Sequence, residues 1–228
     1  MGTGEVVYGR RAVAEAKRGR RRVRRVWTAP DLSTSELARL AGSPDHQGIV
    51  AEVDPYPYAD PDSLLDRPDA LVVALDQVQD PRNLGAVCRS AEAVGAAGLV
   101  IPSRRSAAVT AAVSKASAGA VEHLPVARVT NLAAWLARAK DSGAWVYGAE
   151  ARAAAPYAQA DLSGKVVLVL GGEQRGLRRR VSESCDLLIS IPLRGRVGSL
   201  NVSAAAAVLL FEAARQRAGS RERGRQDA

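Results

Sequence analysis

The segment Ile191-Pro-Leu-Arg-Gly-Arg-Val-Gly-Ser-Leu-Asn-Val-Ser203 separates a short apolar run from an alanine-rich run that covers residues 204–214. This order predicts a buried strand, a loop of glycine and small polar residues, and a long helix whose alanines allow close packing. The loop can close around a ligand, with Ser199 and Asn201 as hydrogen-bonding groups. A helix N-cap would account for Asn201 and Ser203 without any ligand.

The chain before this loop alternates apolar runs with helical patterns, which predicts an α/β domain. Strands are predicted at residues 71–75, 98–101, 145–149, 166–170 and 187–191. Helices are predicted at residues 83–94, 107–118, 131–142, 178–184 and 202–216. The strands are continuously apolar rather than alternating, which favours a parallel sheet covered on both faces by crossover helices.

The first 53 residues form a separate compositional block that precedes a proline-rich stretch. Within this block, helices are predicted at 10–17 and 34–41 and strands at 23–28 and 48–53. Prolines lack a backbone donor and fix φ, so the stretch that follows is predicted to be an extended linker. The expected organisation is a small domain at 1–53, a linker at 54–70, a larger domain at 71–218 and a disordered tail at 219–228.

The charge of the chain indicates a polyanionic partner. It has 32 Lys and Arg against 24 Asp and Glu, a net charge of +8, and residues 17–25 are almost all basic. Such a cluster binds phosphates through charge and counterion release. A solvated, merely solubilising charged surface is the alternative interpretation.

The cysteines and the apolar runs exclude other classes of protein. The 2 cysteines, Cys88 and Cys185, have no His or Cys at metal-ligand spacing, so neither a metal site nor a disulfide framework is expected. The longest apolar run, at 204–211, is too short to cross a bilayer. We therefore expect a soluble cytoplasmic protein.

A second segment, Asp76-Gln-Val-Gln-Asp-Pro-Arg-Asn-Leu-Gly-Ala-Val-Cys-Arg89, follows the first predicted strand of the larger domain. Ligands of open α/β sheets bind beyond the carboxyl ends of strands, so this position favours function. Asn83 is predicted to cap the helix, and Gly85 lies on the same helical face as Arg89, where a phosphate or ribose could reach the arginine. An ion-pair network between the two aspartates of this segment and Arg89 is an equally good explanation.

A third segment, Gly171-Gly-Glu-Gln-Arg-Gly176, follows the most apolar predicted strand. It has neither the spacing and lysine of a P-loop nor the dinucleotide-binding pattern of glycines. Its glycines could expose backbone groups to an adenosine-like ligand, with the Glu173 carboxylate beside them. A plain strand-to-helix turn would also explain the glycines.

Taken in chain order, residues 76–89, 171–176 and 191–203 resemble the first, second and third motifs of the SpoU family of RNA ribose 2′-O-methyltransferases, in the knotted SPOUT superfamily. Lys115-Ala-Ser-Ala-Gly-Ala120 also fits this family. The stretches Tyr8-Gly-x-x-Ala-Val-x-Glu-Ala16 and His46-Gln-Gly-Ile-Val-Ala51 resemble the ribosomal-protein-like RNA-binding extension of the 23S rRNA guanosine 2′-O-methyltransferase branch. The chain departs from that pattern in the short stretch between Trp27 and His46, which makes the extension abridged, and at Leu193, where the family has Met.

The resemblance implies an α/β fold with a deep trefoil knot made by residues 187–216, and a homodimer that methylates RNA without a metal or a membrane. S-adenosylmethionine would be held at Gly171, Ile191 and Leu200. The catalytic residues would be Asn83, Arg89, Glu173, Ser199 and Asn201. The expected target is a guanosine in 23S rRNA; the alternatives are tRNA or another rRNA, or a non-catalytic RNA-binding or ribosome-assembly protein.

Overall fold

The computed structural model describes residues 4–172 and 176–226, with side chains up to residue 219. The N-terminal part forms a small antiparallel sheet with strand order β1-β3-β2 and two helices. Its elements are β1 (Glu5–Tyr8), α1 (Arg10–Arg18), β2 (Val23–Thr28), α2 (Thr34–Ala41) and β3 (Ile49–Val53).

The rest of the chain forms a parallel sheet of seven strands with the order β6-β5-β4-β9-β7-β10-β8. The strands are β4 (Leu71–Asp76), β5 (Gly98–Pro102), β6 (Val126–Val129), β7 (Trp145–Ala149), β8 (Ala155–Pro156), β9 (Val166–Gly171) and β10 (Leu187–Ser190). The helices are α3 (Pro81–Ala93), α4 (Ala111–Ala116), α5 (Leu132–Asp141), α6 (Arg179–Ser182) and α7 (Val202–Gln226). The predicted parallel α/β sheet is confirmed.

Two apolar cores cover the faces of this sheet. Residues of β4 alternate between them, with Val73 and Leu75 in one core and Val72 and Ala74 in the other. Helices α3, α4 and α7 contribute to the first core, whereas α5 and α6 contribute to the second. All 6 residues of β4 are buried, which explains why its sequence is continuously apolar rather than alternating.

The structure differs from the sequence prediction at several elements. Strands β1, β6 and β8, which have 4, 4 and 2 residues, were not predicted. Helix α7 runs to Gln226, whereas the sequence predicts an end at 216 and a disordered tail from 219. The extension, residues 217–226, contains 4 Arg and no proline, which favours helix, although its 2 glycines do not.

Residues 54–70, predicted to be an extended linker, pack on the larger sheet. Tyr56 is buried, as are Leu64 and Leu65, and residues 63–65 form a short 3₁₀ helix. Ala59 makes an isolated parallel bridge to Ala127 of β6. Apolar side chains between the prolines therefore anchor this segment. None of the helices in the described part of the chain is long and apolar enough to cross a membrane.

Candidate active site

A cavity of about 270 Å³ lies at the carboxyl ends of β7, β9 and β10, beneath the loop at residues 191–201. Gly171, Ile191 and Leu200, the three predicted cofactor-binding residues, all line it, and so does Ser199. The carboxyl edge of a parallel sheet is the usual position of a ligand site, because neighbouring connections diverge there.

A tight turn after β9 forms one wall of this cavity. Gly172 N–H donates to the carbonyl of Asp76 at 2.9 Å, and Gly176 N–H donates to the carbonyl of Gly172 at 2.9 Å. A Cβ atom on Gly171 would lie 2.0 Å from the carbonyl carbon of Gly176, so only glycine allows the turn to fold back this closely. The predicted catalytic residue Glu173 lies outside the described residues.

The buried carboxylate of Asp76 fixes the chain that follows this turn. Asp76 is fully buried at the end of β4. One of its oxygens accepts from Arg178 N–H at 2.8 Å, and the other accepts from Arg178 Nε at 2.8 Å and Nη2 at 2.6 Å. The alternative network of Asp76, Asp80 and Arg89 is therefore corrected: Asp76 pairs with Arg178, which is distant in sequence.

The start of α3 is capped by Asp80, whose side chain accepts from Arg82 N–H at 2.8 Å. The prediction that Asn83 caps this helix was wrong, because Asp80 occupies the N-cap position before Pro81. Asn83 instead accepts a hydrogen bond at Oδ1 from Asn201 Nδ2, at 3.1 Å. This contact joins α3 to the end of the cavity loop.

Asn201 also caps α7, as predicted. Its Oδ1 accepts from Ser203 N–H at 2.8 Å and from Ser203 Oγ at 2.6 Å, while its carbonyl accepts from Ala205 N–H at 3.0 Å. One amide thus holds the first turn of α7 and the first turn of α3. The glycines at 195 and 198 have negative φ and open surroundings, so this loop does not require glycine at either position.

Arg89 is exposed on α3, and no hydrogen bond or ion pair involves its side chain within the described residues. Gly85 is buried against α4, where a Cβ would lie 2.5 Å from Ala116 Cβ. Gly85 thus allows a close approach, and the element that approaches it is α4 rather than a ligand. The structure brings Asn83 to Asn201, and Ser199 to the cavity, but it includes no contact from Arg89 to these residues.

Glu150 is a cavity residue that the sequence analysis missed. It follows β7, is half-buried, and its N–H donates to the carbonyl of Ile189 at 2.9 Å. The rule that ligands bind beyond strand ends could have identified it, once β7 was known to lie beside β9. Leu193 also lines the cavity and is 37% exposed, so the loop presents an apolar surface there.

The model of the SpoU rRNA Methylase family matches residues 70–211. YacO of Bacillus subtilis, assigned to the TrmH family of tRNA/rRNA methyltransferases, is 40% identical over 241 residues that cover 93% of this chain and 96% of the relative. A tRNA/rRNA methyltransferase of Mycolicibacterium vanbaalenii is 49% identical over 192 residues, which cover 82% of this chain but 61% of that relative.

A solved structure agrees with these matches. The SpoU methyltransferase AviRb from Streptomyces viridochromogenes, in complex with the cofactor AdoMet, superposes with a TM-score of 0.79 at 28% identity. The superposition covers 94% of this chain and 91% of that chain. By its sequence and its fold, the chain belongs to the SpoU rRNA methylase family.

Proposed function

We propose that this protein is an S-adenosylmethionine-dependent methyltransferase that modifies RNA. Its acceptor is the ribose 2′-hydroxyl of a guanosine in 23S rRNA. The hydrogen bond from Asn201 to Asn83 carries the proposal. It ties the loop that lines the cavity to the helix that presents Arg89. The cavity loop would contact the methyl donor, and α3 presents an exposed cation to the RNA. The hydrogen bond holds these two elements together.

The chemistry of the cavity fits S-adenosylmethionine. Ile191 and Leu200 offer apolar surface for an adenine ring, the turn at Gly171 leaves backbone groups accessible, and the Glu150 carboxylate can accept from hydroxyl or amino groups. When bound, this cofactor supplies a methyl group made electrophilic by a positively charged sulfur. The residues of the chain have to position the acceptor hydroxyl.

An alcohol is a weak nucleophile near neutral pH, so in-line positioning and easier proton loss are what the site must supply. In the proposed mechanism, Arg89 binds the 2′-oxygen and a neighbouring RNA phosphate and so holds the hydroxyl in position, and the hydroxyl proton passes to water. Arg89 therefore acts as a cationic clamp and not as the base. Asn83, Glu173, Ser199 and Asn201 are proposed to keep the loop and the substrate in register.

We also propose the finer architecture that the family resemblance implies. Residues 187–216 form a trefoil knot in a 71–218 methyltransferase domain, after a 54–70 connecting segment. Close packing of α7 through buried Ala206 and Ala213 supports the knot. Residues 1–53 bind RNA through their basic surface. The protein acts as a cytoplasmic homodimer, and the 56% exposure of Phe211 on α7 supports an apolar contact between copies.

Substitution of Arg89 tests the mechanism. Arg89→Ala should bind S-adenosylmethionine as the unmodified protein does in calorimetry, yet transfer the methyl group to 23S rRNA at least about a hundredfold more slowly. Arg82→Ala, which removes another exposed arginine from the same helix, is the matched control and should retain most activity. An active Arg89→Ala protein would remove Arg89 from the mechanism.

The target is tested by mapping 2′-O-methylation in rRNA and tRNA from cells with and without the gene. Loss of a mark on one 23S rRNA guanosine is the expected result. Loss of a mark in tRNA alone would overturn the choice of target. If no mark changed and calorimetry detected no cofactor binding, the protein would be a non-catalytic RNA-binding protein instead.

A further inference from the structure

A second cavity, of about 550 Å³, lies where the small sheet meets α4. Residues 9–12, Gln47, Lys115 and Ala118 line it. These residues come from three separate segments that the sequence analysis singled out, which begin at Tyr8, His46 and Lys115. The structure brings the three segments to one place, and the proposed chemistry at the first cavity uses none of them.

Three cations surround this second cavity. Arg10 and Arg11 are exposed, and neither side chain has a hydrogen bond or an ion pair within the described part of the chain. Lys115 Nζ donates to the carbonyl of Asp45 at 3.0 Å and lies 6.0 Å from the centre of the Tyr8 ring. Among the residues that the structure describes, no acidic side chain lines the cavity. Positive charges held together without a carboxylate favour an anionic ligand.

The backbone around the cavity is fixed by specific contacts. Gln47 Oε1 accepts from Arg10 N–H at 3.1 Å. This backbone N–H at the start of α1 is therefore already bonded, and a ligand would contact the cationic side chains instead. Gly9 has a φ of +92°, and a Cβ there would lie 2.6 Å from Lys115 Nζ. The close approach of Gly9 therefore leaves the ammonium group of Lys115 beside the backbone turn.

The cavity is also close to the helix that carries the proposed catalytic residues. Ala116 directly follows Lys115, and its Cβ is the atom nearest to a Cβ placed on Gly85 of α3. Arg89 lies one helical turn beyond Gly85 on the same face. A strand of RNA that passes from α3 onto α4 would meet Lys115 and then Arg10 and Arg11.

We propose that this second cavity binds a backbone phosphate of the RNA substrate. The inference rests on the proposed function, and it identifies where the substrate is held outside the active site. Guanidinium and ammonium groups contact phosphates without reading bases, so the cavity sets the position of the RNA rather than its sequence. It would hold the nucleotides on one side of the target ribose.

The test compares two double variants that remove the same charge. Arg10→Ala/Arg11→Ala removes two cations from the second cavity. The control, Lys140→Ala/Lys165→Ala, removes two lysines near the amino ends of β10 and β9, at the edge of the large sheet opposite the candidate active site. The dissociation constant for 23S rRNA transcribed in vitro is measured at several salt concentrations. Calorimetry measures the affinity for S-adenosylmethionine.

The cavity variant should bind 23S rRNA about tenfold more weakly, and the slope of log affinity against log salt should fall by about 2, as expected for two lost phosphate contacts. Its affinity for S-adenosylmethionine should not change. The control should bind RNA nearly as the unmodified protein does. Both replaced arginines are exposed helix residues, so alanine should preserve the fold, which circular dichroism checks.

Unchanged RNA affinity in the cavity variant would overturn the proposal, as would an equal loss in both double variants, since that would indicate diffuse charge attraction. Absence of any RNA binding by the unmodified protein would also overturn it. A different result would contradict the proposed function alone. If the unmodified protein bound RNA through the cavity but transferred no methyl group, the phosphate site would be supported and the catalytic assignment would be wrong.

Discussion

At the scale of single residues, Asn201 uses the two ends of one amide for two different contacts. Its oxygen caps α7, and its nitrogen donates to Asn83. The cap stabilises the helix, whereas the contact with Asn83 joins the cavity loop to α3. A substitution that removes only the Nδ2 donor of Asn201 and keeps its Oδ1 acceptor should therefore lower activity without lowering stability.

Asn201→Asp keeps the acceptor that caps α7 and removes the donor to Asn83. Its free energy of unfolding in urea should change by less than about 0.5 kcal/mol, because aspartate and asparagine are comparable N-caps. Methyl transfer should fall at least about tenfold, since the loop loses its tie to α3. Asn201→Ala should lose the same activity and, in addition, about 1 kcal/mol of stability. A fully active Asn201→Asp protein would contradict this assignment.

The two thiols should be unreactive in the folded protein. Burial raises the pKa of Cys88 and of Cys185 to about 12, so both remain protonated near neutral pH, and the thiolate is the reactive form. A thiol reagent such as dithionitrobenzoate should label neither cysteine quickly at pH 8 and both after denaturation. Rapid labelling of one thiol in the native protein would contradict the burial.

Because burial raises the pKa of both thiols, the stability of the folded protein should fall at high pH. The pKa of each thiol is higher in the folded chain than its usual value of 9.0. The unfolded chain therefore releases these protons first as the pH rises. The resulting contribution to stability is complete below pH 9 and is lost as the pH rises from 9 towards 12.

At the scale of elements, the contact between α3 and α4 depends on one glycine. In Gly85→Ala, the new Cβ would lie 2.5 Å from Ala116 Cβ and 2.9 Å from Ser117 N. This overpacking should cost about 1–3 kcal/mol of unfolding free energy, measured in urea. Gly164→Ala, whose Cβ would meet nothing within 4 Å, is the control. The double variant Gly85→Ala/Ala116→Gly should recover part of the loss; no recovery would place the strain elsewhere.

The sequence predicted the elements whose own residues carry the signal. The apolar runs of β4 and β9 are long enough to identify a parallel sheet, and Asn201 precedes an unbroken helical pattern. The tertiary contact partner of a side chain could not be predicted in this way. Arg178 lies 102 positions from Asp76, and no local pattern indicates that they pair. The same holds for Gly85, because its fit to α4 depends on how two helices dock.

At the scale of the whole molecule, the small N-terminal sheet is attached to the larger one through buried polar contacts. The Glu122 carboxylate, fully buried beside α4, accepts from Arg21 Nε at 2.9 Å and also from Arg21 Nη2. Arg21 Nη1 in turn pairs with Glu5 of β1 at 3.0 Å. The hydroxyl of Tyr56 donates to the carbonyl of Leu124 at 2.9 Å. These contacts predict that both sheets unfold together.

Glu122→Gln should weaken the whole molecule, because it removes the buried carboxylate of the pair and leaves the buried Arg21 guanidinium with only the partly exposed Glu5 carboxylate. Removing one partner of a buried pair costs about 3 kcal/mol, which corresponds to a fall in Tm of about 10 °C for a chain of this length. Asp62→Asn, which breaks the exposed pair with Arg138, should change Tm by less than about 2 °C. Differential scanning calorimetry of the unmodified protein should give one transition whose calorimetric and van't Hoff enthalpies agree. Two separated transitions, or an equal effect of both substitutions, would mean that Glu122 does not couple the sheets.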